Sequence, residues 1–226
     1  RVEPVLFRTE MLAAAVVLDA RKYPPRVSVD IAEAVEDLGL SERAEEILID
    51  TRKWHPRTLE KARIYAGLAK IAGKRGDSKA ALAAYARIDP ENLIVPASLR
   101  AAMEMDRARL EAGAGNLDRA QEIWKQIQGD RALPARTRAE AYLLAGRAIE
   151  EKAPAQAAPY FERVYVAYGA FPEFAADAYL ARARCLERLG HHDKAREVYR
   201  ELTRREDMAG QSAAVEEAKK KLEAIP

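Results

Sequence analysis

The chain has 226 residues, 49% hydrophobic and 33% charged, which excludes a wholly disordered protein. Its 38 basic and 36 acidic residues leave a net charge of +2, so no strong field draws it to nucleic acid or an anionic membrane. A single cysteine, Cys185, excludes an intrachain disulfide, and no apolar run reaches the roughly 20 residues of a membrane span.

The chain opens on Arg1 rather than methionine and reads as a piece of a longer protein, so a targeting signal can lie outside it. Pro4 to about Arg21 reads as one helix, the tail of a preceding repeat. Its apolar run, Met11 to Leu18, ends in Asp19-Ala20-Arg21-Lys22 without the cleavage site of a signal peptide.

From there the sequence repeats. Gly39, Gly76, Gly115 and Gly190 each precede an alanine five residues on, a large residue four further and, in three of them, an aliphatic three further. The alanines are Ala44, Ala81, Ala120, Ala157 and Ala195, spaced by 37, 39, 37 and 38 residues. Leu48, Tyr85, Trp124, Phe161 and Tyr199 fill the large slot. Twelve residues before each anchor stands a second alanine: Ala32, Ala69, Ala108, Ala145 and Ala183. Apolar residues at helical spacing, such as Ala195, Val198, Tyr199 and Leu202, place two helices in every unit. Small residues at the crossing let two backbones approach, glycine closes the first helix, and Asp or Ser after it caps the second.

The units run about 27–58, 59–95, 96–134, 135–172 and 173–211, with prolines at their ends. The fourth departs from the pattern. Lys152 stands where glycine is expected, and Pro159 falls inside the second helix, which predicts a late start or a kink. Residues 1–26 flank the array as an N-terminal helix. Residues 212–226 form a capping helix with Val215, Ala218, Leu222 and Ile225 on one face.

Paired helices with these alanine and aromatic columns resemble the tetratricopeptide repeat family over roughly Val27 to Leu202. The period exceeds the family's usual length of about 34 residues, which implies longer links. The resemblance implies an all-α, right-handed α-solenoid of about five units that binds a peptide or helix of another protein along a groove lined by the first helices. By register that groove presents Arg63, Ala66, Lys70, Lys74, Met105, Asp106, Arg109, Tyr142, Gly146, Ile149, Asp177, Leu180, Arg184 and Arg188, with Glu33, Glu36 and Asp37 as an acidic end. The partner-binding residues expected are Arg63, Lys70, Lys74, Met105, Arg109, Tyr142, Leu180, Arg184 and Arg188. Asparagine is absent from these positions, which argues against the family's carboxylate clamp for chaperone tails. The fifth unit, "PEFAADAYLARARCLERLGHHDKAREVYREL", looks like repeats of bacterial envelope proteins; the setting stays open between bacterial periplasm and cytoplasm, with a membrane tether through a segment outside this sequence as a further option.

No catalytic, cofactor or metal site is assigned. "AGKRGDSKAALAAY" has the glycines and lysines of a phosphate cradle, but only Lys74 and Arg75 separate Gly73 from Gly76, too few for a Walker loop. Its Arg75-Gly76-Asp77 sits where three other units have their glycine turn. His191 and His192 share a turn and point apart, His55 lies in a link, and no third metal ligand stands near. Cys185 reads as a buried thiol. No serine stands in a nucleophile elbow. The groove columns vary from unit to unit, so no base-reading code is visible. Two further roles stay open: a spacer or self-assembling module, and a regulatory domain of a larger enzyme.

Overall fold

A computed structural model describes residues 13, 19, 21–57, 60–88, 97–208, 210 and 212–224. The N-terminal helix expected over Pro4 to about Arg21 falls almost wholly outside them, and so do Pro90, Pro96 and Ile225. The chain divides into two compact units, Arg1–Pro96 and Ala97–Pro226. The first holds α1 (Pro25–Asp37), α2 (Ser41–Trp54), α3 (Lys61–Lys74) and α4 (Ser78–Tyr85). The second holds α5 (Ala97–Gly113), α6 (Leu117–Gly129), α7 (Ala135–Ile149), α8 (Pro154–Ala167), α9 (Pro172–Arg188), α10 (His192–Arg204) and α11 (Ser212–Ala224). No strand occurs among the described residues. The all-α repeat fold expected from the sequence is the fold observed.

Within each unit, consecutive helices pack as hairpins, and the second helix of one hairpin packs on the first helix of the next. The two alanine columns make this possible. Ala32, Ala69, Ala108, Ala145 and Ala183 are at most 1% exposed, and Ala44, Ala81, Ala120, Ala157 and Ala195 are wholly buried. A methyl group at these points keeps the helix backbones close, and the bulky column fills the space beside them. Leu48, Tyr85, Trp124, Phe161 and Tyr199 are accordingly buried in the cores. Fully burying one such side chain contributes about 1.5–3 kcal/mol. Where the packing is tightest even a methyl is too large. A Cβ on Gly67 would lie 2.8 Å from Leu48 Cδ1, and one on Gly146 would lie 2.7 Å from Phe161 Cε1.

Four hairpins share one turn. Gly39, Gly76, Gly115 and Gly190 have φ between 75° and 86°, the left-handed region that only glycine enters without strain. Each donates its N–H to a carbonyl three residues back. The residue after it donates to a carbonyl five back, as Leu40 does to Val35 (3.1 Å) and His191 to Leu186 (2.9 Å). The terminal carbonyls of the first helix are thereby satisfied. The expected side-chain caps are sparser than the sequence suggests. Asp77 accepts from the Ala80 N–H at 2.9 Å. Asn116 instead gives its side-chain amide to Glu111 (2.7 Å), because a buried carboxylate one turn back is a stronger acceptor.

The fourth hairpin corrects the late start expected from Pro159. α8 starts at Pro154, not later, and runs through Pro159 to Ala167. Without a glycine, the chain stays right-handed at Glu150 (φ −51°, ψ −42°). Ala153 then donates to the Ile149 carbonyl at 2.8 Å. Pro154 occupies the first turn of α8, where a missing N–H costs no helix bond. At the chain's far end Ala218 is buried against α10 and α9, with Val215 and Leu222 partly buried beside it. The outer face of α11 carries Glu216, Lys219 and Lys220 in solvent.

A Cβ at Gly190 would meet no atom within 4 Å, so its replacement tests backbone conformation alone. Gly190→Ala should cost about 1–2 kcal/mol through the positive φ, read as a lower urea midpoint. Lys152→Ala, in the turn without a positive φ, should leave the midpoint in place.

Candidate functional site

The residues expected to line a binding surface lie on the first helices of the hairpins, α3, α5, α7 and α9. In the first unit, Arg63 on α3 holds Asp30 (2.7 Å) and Glu33 (2.7 Å) of α1, together with Glu60 (3.0 Å). Lys70 faces Asp37 at 3.4 Å, and Lys74 is bonded to the buried Glu36. The acidic residues of α1 and the basic residues of α3, two patches in the sequence, thus form one seam of mutual ion pairs.

The second unit repeats the arrangement. Arg109 on α5 bridges Asp106 and Glu140 of α7. Arg147 on α7 reaches Asp177 of α9 (2.8 Å), and Arg136 reaches Glu173 (2.9 Å). Arg184 on α9 grips Glu150 at the end of α7 (2.8 Å) and also faces Glu217 of α11 (3.6 Å). Arg188 donates to the Glu150 carbonyl (3.1 Å), and Lys221 of α11 returns to Glu187 of α9 (3.2 Å).

Most of these pairs are half-exposed, and such a pair is worth well under about 1 kcal/mol. Their effect is to fix the offset between neighbouring first helices. Arg184–Glu150, like Lys74–Glu36, differs because its carboxylate side chain is nearly buried, 10% exposed for Glu150 and 5% for Glu36. It supports the glycine-free turn from below, as Arg184 and Arg188 tie the Glu150 carboxylate and carbonyl to the next hairpin.

The other expected residues separate by burial. Met105 and Leu180 are 3% and 5% exposed and belong to the cores, where they pack the hairpins together. Tyr142 on α7 is half-buried, with its ring 6.3 Å from Tyr160 and 5.8 Å from Tyr168. Glu140, Arg147, Glu150 and Glu217 were not singled out from the sequence. A signal for them was present. Cross-hairpin pairs recur at separations of 30 to 34 residues, one repeat length less one or two turns.

Behind this face a second network ties α8, α9 and α10. The rings of Tyr165 and Tyr179 stack at 3.9 Å. Arg182 bonds the Tyr165 hydroxyl and Glu162, and Tyr179 donates to Glu201 at 2.6 Å. Burial raises Tyr179 to about 12. Burial likewise pushes the Cys185 thiol up to about 11, so the thiol stays protonated and inert at neutral pH. His191 and His192 are exposed at the start of α10. Among the described residues no group of three or more potential metal ligands occurs, and no helix is long and apolar enough to cross a membrane.

Comparison with known proteins agrees with this geometry. Residues 148–222 match the profile of the tetratricopeptide repeat. No curated protein matches. Among solved structures, the chain is similar to pilF of Pseudomonas aeruginosa, with TM-score 0.60 and 18% identity over 92% of this chain and 90% of that one. It is similar to a signal-transduction ATPase with a tetratricopeptide repeat sensor from Pyrococcus horikoshii, with TM-score 0.69 and 16% identity over 99% of this chain and 36% of that one. The C-terminal part of a TPR repeat-containing protein from Cytophaga hutchinsonii gives TM-score 0.58 and 16% identity, over 97% and 90% of the two chains. The fold defines a helical-repeat protein. Residues 148–222 carry the tetratricopeptide repeat, and the glycine turns and alanine columns continue the same hairpin pattern through the rest of the described residues.

Glu150→Ala should cost about 2 kcal/mol, because it strips a nearly buried guanidinium contact and loosens the fourth turn. Asp177→Ala, at an exposed pair, should cost under about 1 kcal/mol. Paired urea denaturation curves separate the two.

Proposed function

We propose that the chain is a non-enzymatic protein-binding module whose first-helix faces seat a peptide or helix of a partner protein. Tetratricopeptide repeats generally mediate protein–protein interaction, and the ion-pair seams are the observation that supports this role here. They hold neighbouring first helices at a fixed offset in each unit, so docking orders little that is not already ordered. The half-buried Tyr142, Ala66 and Ile149 lie among the paired charges as apolar contact points. On the likeness of its fifth-unit sequence to bacterial envelope repeats, we place it in an envelope-associated complex.

Photo-crosslinking in the native cell tests the binding face. A benzoylphenylalanine at Ala66 and one at Ile149 should each trap a partner protein, while one at Val166, 71% exposed on a second helix, should trap none. Equal capture at all three positions would contradict the assignment of the face. Cell fractionation tests the setting, and recovery from the cytosol alone would contradict an envelope complex.

A further inference from the structure

Six arginines lie on α7 and α9, and five of them hold a carboxylate: Arg136, Arg147, Arg182, Arg184 and Arg188. Arg138 is the exception. It is half-buried in the first turn of α7, and among the described residues no carboxylate pairs with it. Its Nε is buried and has no hydrogen-bond partner. The Nε of Arg182 shares that state, but Arg182 pairs with Glu162 through another nitrogen, and Arg138 has no such pair among the described residues. An unsatisfied buried donor on a charged group is costly, and proteins seldom keep one without a use.

The surroundings suggest the use. The Arg138 guanidinium carbon lies 5.8 Å from the centroid of the Tyr168 ring. Tyr168 lies beside Tyr142, and Tyr142 beside Tyr160, at centroid separations of 5.8 and 6.3 Å. All three rings are half-buried, and none of their hydroxyls has a hydrogen bond among the described residues. A guanidinium with no anion among the described residues thus stands beside the Tyr168 ring, one of three adjoining rings with unused hydroxyl donors. Arginine and tyrosine are the residue types that dominate binding energy at protein interfaces.

We propose that Arg138, with Tyr142, Tyr160 and Tyr168, forms a subsite for the side-chain carboxylate of an aspartate or glutamate in the partner segment. The proposal rests on the protein-binding reading above and names the partner's chemistry at one point. The carboxylate completes the ion pair that the other five arginines find within the chain. The tyrosine rings cover the apolar residues on either side of it. One half-buried cation suits a single carboxylate arm reaching in from a chain that runs over the rings. A charge-assisted fork of this kind loses at least about tenfold in affinity when the acid becomes an amide.

The test uses nuclear magnetic resonance on the isotope-labelled chain with three probe peptides. The first is Ala-Leu-Glu-Leu-Ala with both ends blocked. The second replaces its Glu by Gln, and the third is that Gln peptide with a free C-terminal carboxylate. The Glu peptide should shift the Arg138 Nε–H and the ring signals of Tyr142, Tyr160 and Tyr168. The blocked Gln peptide should bind at least about tenfold more weakly. Arg138→Gln should abolish the response and Arg138→Lys weaken it, while Arg163→Gln on α8 leaves it intact. Circular dichroism of each variant confirms the fold. No response to the Glu peptide, or equal response to the blocked Gln peptide, overturns the proposal. A response to the free-carboxylate Gln peptide as strong as to the Glu peptide also overturns it, in favour of a terminal carboxylate. If Ala66 and Ile149 trap a partner but Arg138→Gln changes nothing, only the subsite fails. If the peptide response holds while crosslinking is equal at all sites, the binding face fails instead.

Discussion

The close approach of helix backbones at ten buried alanines is the constraint on which the rest depends. A helix hairpin this short cannot bury a core by itself. It becomes stable by presenting a small-residue stripe to its neighbour, so that a bulky side chain inserts beside it without a void. The stripe sets how far apart successive first helices stand. That distance decides whether an arginine on one reaches a carboxylate on the next. The seams of Arg63 with Glu33 and of Arg147 with Asp177 are therefore consequences of the alanine columns, and they add definition rather than much free energy.

The same order of causes explains the face that a partner would meet. Side chains fixed by packing, such as Met105 and Leu180, are withdrawn into the cores. Side chains fixed by ion pairs, such as Lys70 and Arg109, remain at the surface with their charge largely answered. What distinguishes one place from another on such a surface is an unanswered group. Arg138 is such a group, set among tyrosines whose rings are already ordered by one another.

Much of the fold was legible because it repeats. Gly39, Gly76, Gly115 and Gly190 share one turn, and a residue forced to a positive φ leaves a mark in the sequence. The late start expected of the fourth unit's second helix does not occur, and what fixes its turn is not local. Pro159 looks like a helix breaker, but Arg184 and Arg188 from the next hairpin hold the Glu150 end of α7 in place. The surface was legible only by position. Register placed Arg63, Tyr142 and Arg184 on the first helices, yet it could not show that most of the cations are paired, since each pair spans about thirty residues or more. The special state of Arg138 left no trace at all, because it is defined by a carboxylate that none of the described residues brings to it.

The most direct measurement compares two alanines on one helix. Ala157 is wholly buried at the crossing, and Ala155, two residues earlier on α8, is exposed. If backbone proximity at the alanine columns governs the stack, Ala157→Leu should lower stability by about 1–3 kcal/mol in urea denaturation, while Ala155→Leu leaves it within about 0.5 kcal/mol. Equal and small effects of both substitutions would contradict the account.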